Sequence, residues 1–394
     1  MHEAYSYAGQ MHDTPLYEEI FFRRKTKFQY APTALLFVPL FERLMPDHTW
    51  GRPLTGKARY VSWGFVLMTL LFSFLILRSG LKRKGLCAAA FLSADTAALL
   101  FTVTALTILF FPVVRSYELG QIQTWINGLI AASILFWMRG KPWAAGILTG
   151  LVCLMKPTYG LVVLWGAVRR QGRFLAGAGA TLLTGLVLSI RLFGLENHLD
   201  YLRVLSYLSK HGEGFFPNQS MNGLLNRLMM NGTNLEWEYH AFAPFHPAVY
   251  WGSLASSLLL VGFLLFGQAA RTVASIKNGA SIRNAQSTAL EFALAILTAT
   301  MASPIAWEHH YGILLPIYAL ALPYCLGQQK SDGRLLLGLG ISYLLTANFF
   351  AAAQITASVP GLNLLQSYLY FGALILLALL YRILPLAAAK EPSP

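Results

Sequence analysis

The chain has 394 residues, 56% of them hydrophobic and only 12% charged, with a formal net charge of +13. A soluble domain has roughly a quarter of its residues charged, so this composition excludes an ordinary water-soluble fold. The surplus basic residues are scattered over short loops and form no nucleic-acid module, so they report membrane topology and exclude nucleic acid as a partner.

In chain order, the first apolar run is 31–45, "APTALLFVPLFERLM". It is too short to span a core of about 30 Å and contains Pro32, Pro39, Glu42 and Arg43, so it should lie along the membrane or dip into it. Charge-poor runs then predict about nine spanning helices, at 61–79, 88–111, 122–138, 174–192, 249–267, 286–303, 311–327, 334–352 and 364–384. The loops that follow carry Arg78, Lys82, Arg83 and Lys84, then Arg139 and Lys141, then Arg169, Arg170 and Arg173. Later loops carry Arg271, Lys277, Arg283, Lys330, Arg334, Arg382 and Lys390. Placing all of these in the cytoplasm leaves 112–121, 193–248, 303–310 and 353–363 outside. The alternation holds provided 143–168 crosses an even number of times.

That segment, "WAAGILTGLVCLMKPTYGLVVLWGAV", has about 26 residues, too few for two full spans at 1.5 Å per residue. A pair of half-helices meeting at Lys156-Pro157-Thr158 is expected, because Pro157 cannot continue the hydrogen bonding of its turn. Irregular backbone at that depth belongs where it lines an enclosed cavity. Lys156 is then a cation deep in an apolar segment, which marks a functional site; the competing reading is a lysine snorkelling to the interface.

The expected architecture is an all-α polytopic membrane protein. An outer-face segment, 1–60, precedes a transmembrane domain, 61–384, with one long outer loop at 193–248 and a cytoplasmic tail at 385–394. By parity residues 1–30 also lie outside, yet no hydrophobic leader delivers them there, so a first transmembrane helix is expected upstream of the sequence as written. Cys87, Cys153 and Cys325 show neither metal-ligand spacing nor a disulfide framework.

The unusual polar clusters all fall on the outer side. They are the N-terminal segment, "FPVVRSYELGQIQ" (111–123), Lys156, "FFPNQSMNGLLNRL" (215–228) and "SPIAWEHHY" (303–311). Arg115, Lys156, His309 and His310 are cations or hydrogen-bond donors suited to a phosphate. Asn218, Ser220 and Asn222 offer neutral groups that read sugar hydroxyls, while Glu118 and Glu308 are carboxylate bases or sugar ligands. Plainer readings compete: Arg115 and Glu118 are spaced to pair across one helical turn, Trp307 and Tyr311 suit an aromatic belt, and Asn218 and Asn231 begin glycosylation sequons. Adjacent His309 and His310 do not share a helix face, so they form no metal clamp. Asp95 and Glu291 lie in the inner halves of their spans, where a structural role competes with a proton relay.

"FQYAPTALLFVPL" (28–40), "ELGQIQTWINGLIAAS" (118–133) followed by "AAGILTGLVCLMKPTYGL", "NQSMNGLLNRL" and "SPIAWEHHY" together resemble membrane glycosyltransferase family 87, from about residue 5 to at least 315. The resemblance implies a GT-C-like bundle in the bacterial plasma membrane with its active site on the outer face. The implied reaction takes a hexose, mannose by family analogy, from a polyprenyl-phosphate-hexose to a lipid or glycan acceptor, with no metal and no further cofactor. Lys156, Arg115, His309 and His310 would contact the donor phosphate; Glu118, Gln121, Asn218, Ser220, Asn222, Trp307, Glu308 and Tyr30 would line the sugar and acceptor. The family's catalytic aspartate, a few residues before an aromatic such as Tyr5, would fall at or before Met1, which leaves Glu3 as the stand-in and Asp13 too late in the pattern. A transporter or lipid flippase, or a truncated non-catalytic membrane partner, are the rival readings; inverted repeats would favour the transporter, and none is apparent.

Overall fold

The computed structural model describes residues 2–10, 14–44, 56–86, 93–267, 285–326 and 333–388. Asp13, Cys87, the loop bearing Arg271, Lys277 and Arg283, Lys330 and the end of the tail lie outside the described residues. Among the described residues the regular structure is helical, as the composition predicts, and the one β-type contact is an isolated antiparallel bridge between Asn218 and Trp307.

The expected spans are unequal in length. Arg59–Arg83, Gly172–Phe193, Pro247–Leu265 and Leu362–Pro385 are long and apolar enough to cross a membrane. Ala94–Leu109 and Phe111–Glu118 add a fifth if taken as one span bent by 56°. The bend falls where Phe110 takes an extended backbone two residues before Pro112. Gln123–Met138 and Gly333–Ala347 have 16 and 15 residues, so they rise only about 24 Å. Leu314–Leu326 is extended by a 3-10 turn, Glu308–Ile313, which sets that turn directly at the head of a buried helix.

The segment 143–168 breaks where Pro157 requires. Helix Pro142–Met155 ends at Lys156, whose backbone is extended, and Pro157–Tyr159 and Gly160–Val168 lead back. The contacts with the next helix fix the direction. Gly146 meets the Phe174 carbonyl, Gly177 meets the Trp143 carbonyl, Gly150 faces Thr181 and Gly185 faces Leu154. Residue numbers rise together, so Pro142–Met155 and Gly172–Phe193 run parallel and both start at the same end of the bundle. The intervening piece has therefore returned, as two half-helices must. In lipid, where apolar burial drives little helix association, such small-residue contacts let backbones approach closely. A side chain at Gly146 or Gly177 would overlap a backbone carbonyl.

Trp137, Trp165, Phe174 and Phe292 pack the end where this hairpin starts, with Trp137 and Phe292 stacked at 4.7 Å. Each such aromatic pair contributes about 0.5–1.5 kcal/mol beyond its buried area. The basic loops collect at this end too: Arg169 pairs with Glu291 at 3.5 Å and Arg83 donates to the Met138 carbonyl at 3.3 Å. Glu291 thus has a structural ion partner. Cys153 and Cys325 are buried free thiols.

A second, smaller core lies at the opposite end. Leu16, Tyr17, Ile20, Phe21 and Leu35 from the N-terminal segment pack on Tyr201, Val204 and Leu208 of the helix Leu195–His211, with Ile305 closing the contact. The run expected to lie on the membrane forms a 3-10 helix, Pro32–Phe37, and a helix, Val38–Leu44. Thr33 donates its hydroxyl proton to the Leu154 carbonyl at 2.7 Å. This occupies one of the orphan carbonyls at the end of Pro142–Met155 and ties the N-terminal segment to the Lys156 break.

Candidate active site

Lys156 occupies the tip of the re-entrant hairpin, where its ammonium donates to Gln123 Oε1 at 3.4 Å. Gln123 in turn donates to Asn127 Oδ1 at 3.0 Å, and Asn127 donates to Ser116 Oγ at 3.4 Å. Tyr159, one turn past the break, has its hydroxyl hydrogen-bonded to that of Thr300 at 3.1 Å. A string of buried amides and a hydroxyl, Gln123, Asn127 and Ser116, thus leads to one lysine. Gln123 and Asn127 stand four apart at the start of Gln123–Met138, on one helical face. Two amides at that spacing in an apolar run were a legible signal that sequence reading passed over.

The turn 307–311 forms the facing wall. His310 Nδ1 accepts from the Trp307 backbone N–H at 3.0 Å, which fixes that ring, and the His309 and His310 ring centroids are 4.5 Å apart. Burial holds both imidazoles well below their ordinary value; the charges of Lys156 and Arg115 add to this at His309, and that of Lys156 at His310. They are neutral rings at pH 7, able to donate a hydrogen bond without bringing a second charge. Glu308 is 3% exposed, and its Oε1 has no hydrogen-bond partner. Burial raises this carboxyl to about 7, against the pull of Arg115 and Arg227.

Arg115 forms the i, i+3 pair with Glu118 at 3.5 Å, with side chains 40% and 53% exposed. The pairing foreseen from spacing therefore exists, and at that exposure it holds Arg115 weakly. Tyr30 donates to Gln121 Oε1 at 3.3 Å, which brings the N-terminal segment to the same wall. Lys156, Arg115, His309, His310, Glu308, Glu118, Gln121 and Tyr30 are thus assembled at one end of the bundle.

Asn218, Ser220 and Asn222, expected to read sugar hydroxyls, have their polar atoms bonded within the fold. Asn218 donates to the Glu213 and Pro304 carbonyls at 3.0 and 3.2 Å and accepts from the Ala306 N–H at 3.0 Å. Ser220 donates to the Pro304 carbonyl at 2.8 Å and caps the helix Met221–Leu228. Asn222 Oδ1 accepts from the Glu213 N–H and from Asn226. All three are buried, so they zip the 213–228 stretch to the 303–308 turn and present nothing free to a sugar except the Asn222 Nδ2 donor. Arg227, unremarked in the sequence reading, does the same from beneath. It donates to the Phe215, Phe216 and Asn218 carbonyls at 3.0–3.4 Å and to Ser367 Oγ at 2.6 Å.

Trp307 donates its indole proton to Glu213 Oε2 at 2.7 Å. Glu3 stands apart on the short helix His2–Ala8, paired with Arg24 at 2.9 Å on the surface. Among the described residues no three His, Cys, Asp or Glu side chains converge as metal ligands do.

The sequence matches the model of glycosyltransferase family 87 across residues 28–304. The chain belongs to glycosyltransferase family 87. It is therefore a membrane glycosyltransferase, and the match spans the Thr33 latch, the Lys156 hairpin, the Gln123 string and the 213–228 zip. The Trp307–Tyr311 turn lies immediately beyond the matched range, bonded to residues inside it. No curated protein and no solved structure matches this family 87 chain.

Proposed function

We propose that this family 87 enzyme transfers a hexose, mannose by family analogy, from a polyprenyl-phosphate-sugar to a lipid or glycan hydroxyl on the outer face of a bacterial plasma membrane. The observation that carries the reading is the convergence of Lys156, Arg115, His309 and His310 at the end of the bundle opposite the Arg and Lys loops. The positive-inside rule puts that end outside.

The acceptor oxygen attacks the anomeric carbon as the bond from that carbon to the phosphate oxygen breaks, with inversion. The acceptor proton passes to a carboxylate, and the electron pair leaves with the lipid phosphate. Lys156 and Arg115 face the charge that grows on the phosphate, and the neutral histidines donate to its oxygens. Phosphate is a competent leaving group, so the residues present suffice without a metal. Glu308 is the buried carboxylate inside the cluster and takes the role of base; Glu3, expected from the resemblance, is the alternative. Tyr30, Gln121, Glu118 and Trp307 border the sugar.

Membranes containing the protein, given radiolabelled polyprenyl-phosphate-mannose and a lipid extract, should yield labelled glycolipid. Transfer from a nucleotide sugar in place of the lipid donor would overturn the reading.

A further inference from the structure

Beside Trp307, which contacts its lining residues Glu213 and Trp237, lies a cavity of about 230 Å³ that the mechanism above leaves unused. Its buried floor is an ion pair, Lys27 to Glu213 at 2.7 Å, with side chains 6% and 3% exposed. The Lys27 ammonium also sits over the Phe242 ring at 4.4 Å and the Trp237 ring at 5.4 Å. Trp237 lines the cavity and packs edge-on against Trp307 at 5.7 Å, and its buried indole N–H has no acceptor. Gly232, Thr233 and Glu238 are exposed along the rim.

These groups select a chemical class. Lys27 is neutralised by Glu213, and Glu238 leaves the lining net negative, which disfavours phosphate and other anions. Apolar ring faces and carboxylate oxygens suit a neutral, hydroxyl-rich ring, whose C–H face stacks while its hydroxyls hydrogen-bond. The volume lies below the range of about 300–1,000 Å³ usual for drug-sized ligands and fits a single monosaccharide unit. We propose that this cavity is a saccharide subsite that holds one neutral hexose unit of the acceptor, one side chain away from the donor cluster. Only the word acceptor rests on the transferase reading; the saccharide site stands on the cavity itself.

The test is binding to the purified full chain in nanodiscs, followed by saturation-transfer NMR and indole fluorescence. The probes are methyl α-mannopyranoside, dodecyl α-mannopyranoside and inorganic phosphate. Both mannosides should bind saturably, phosphate should not displace them, and Lys156→Ala should bind them as the wild type does. Trp237→Leu should weaken binding by about tenfold, roughly one aromatic contact. Trp237→Phe, which keeps a smaller ring, should fall between and guards against misfolding of the leucine variant. Tighter binding of the dodecyl probe identifies a lipid-linked saccharide, and equal binding a free glycan; either supports the subsite. Displacement by phosphate, wild-type affinity in both Trp237 variants, or no saturable binding by folded protein would overturn it. Saccharide binding that persists where no transfer from a polyprenyl-phosphate-sugar is found would sink that donor reading and leave the subsite standing.

Discussion

Lys156 and Gln123, 33 residues apart, meet at 3.4 Å where a broken helix pair points into the bundle. The amide oxygen orients the ammonium, and Asn127 orients the amide. Gln123 is thus a positioning residue for the group assigned to the leaving phosphate. Gln123→Leu should lower kcat by about tenfold with folding retained. In a double-mutant cycle, adding it to Lys156→Ala should cost nothing further. Additive losses would show that the two act separately.

The pH dependence of stability isolates Glu308. Its folded carboxyl titrates near 7, above the ordinary 4.5, because of burial. Between those values the native protein binds the proton that the unfolded chain releases, so the contribution of Glu308 to stability falls as pH rises through this window. His309 and His310, held below 6.5, act oppositely and contribute a loss as pH falls below 6.5. Two imidazoles oppose one carboxyl over most of this window, so thermal unfolding against pH should show Glu308→Gln steepening the rise in stability between 4.5 and 6.5. An unchanged slope would place the titration elsewhere. The same variant assigns the base: loss of transfer in Glu308→Gln but not Glu3→Gln supports Glu308, and the reverse supports Glu3.

Arg227 should prove structural. Its guanidinium serves three carbonyls and Ser367 in a fully buried position. Arg227→Leu takes this donor from the Asn218 carbonyl and Ser367 Oγ, while the Phe215 and Phe216 carbonyls keep the Asn218 N–H and Gln219 Nε2; each buried group left unsatisfied costs about 1–3 kcal/mol. Size-exclusion profiles after heating should show a large loss of folded protein, and Arg227→Lys should recover only part of it, since a point charge cannot replace the fork. A stable, inactive leucine variant would instead make Arg227 part of the chemistry.

The re-entrant hairpin makes a topological prediction. Lys141 and Arg170 flank it at one end of the bundle, so Lys141→Cys and Arg170→Cys should react with an impermeant thiol reagent from the same side of oriented vesicles. Labelling from opposite sides would mean that 142–168 crosses the membrane once.

The break at Lys156 was legible because proline acts on its own turn, and basic loops report sidedness residue by residue. Other features depended on partners remote in sequence. Asn218 and Ser220 looked free because their carbonyl partner, Pro304, is 86 and 84 residues away. Lys27 and Glu213, 186 residues apart, gave no local sign of pairing. The apolar run 311–327 begins as a 3-10 turn held by the zip rather than as an α-helix, a difference set by partners far along the chain. Local chemistry reads from sequence; pairings set by the folded bundle do not.

The central claim is that Lys156 stabilises the departing lipid phosphate. Its most direct test is single-turnover transfer from labelled polyprenyl-phosphate-mannose in proteoliposomes, comparing wild type, Lys156→Ala and His310→Ala at saturating donor. The account predicts a fall of roughly 10²–10³ in the chemical step for Lys156→Ala, the cost of removing one preorganised donor, with a smaller fall for His310→Ala. Wild-type turnover in a correctly folded Lys156→Ala protein would contradict it.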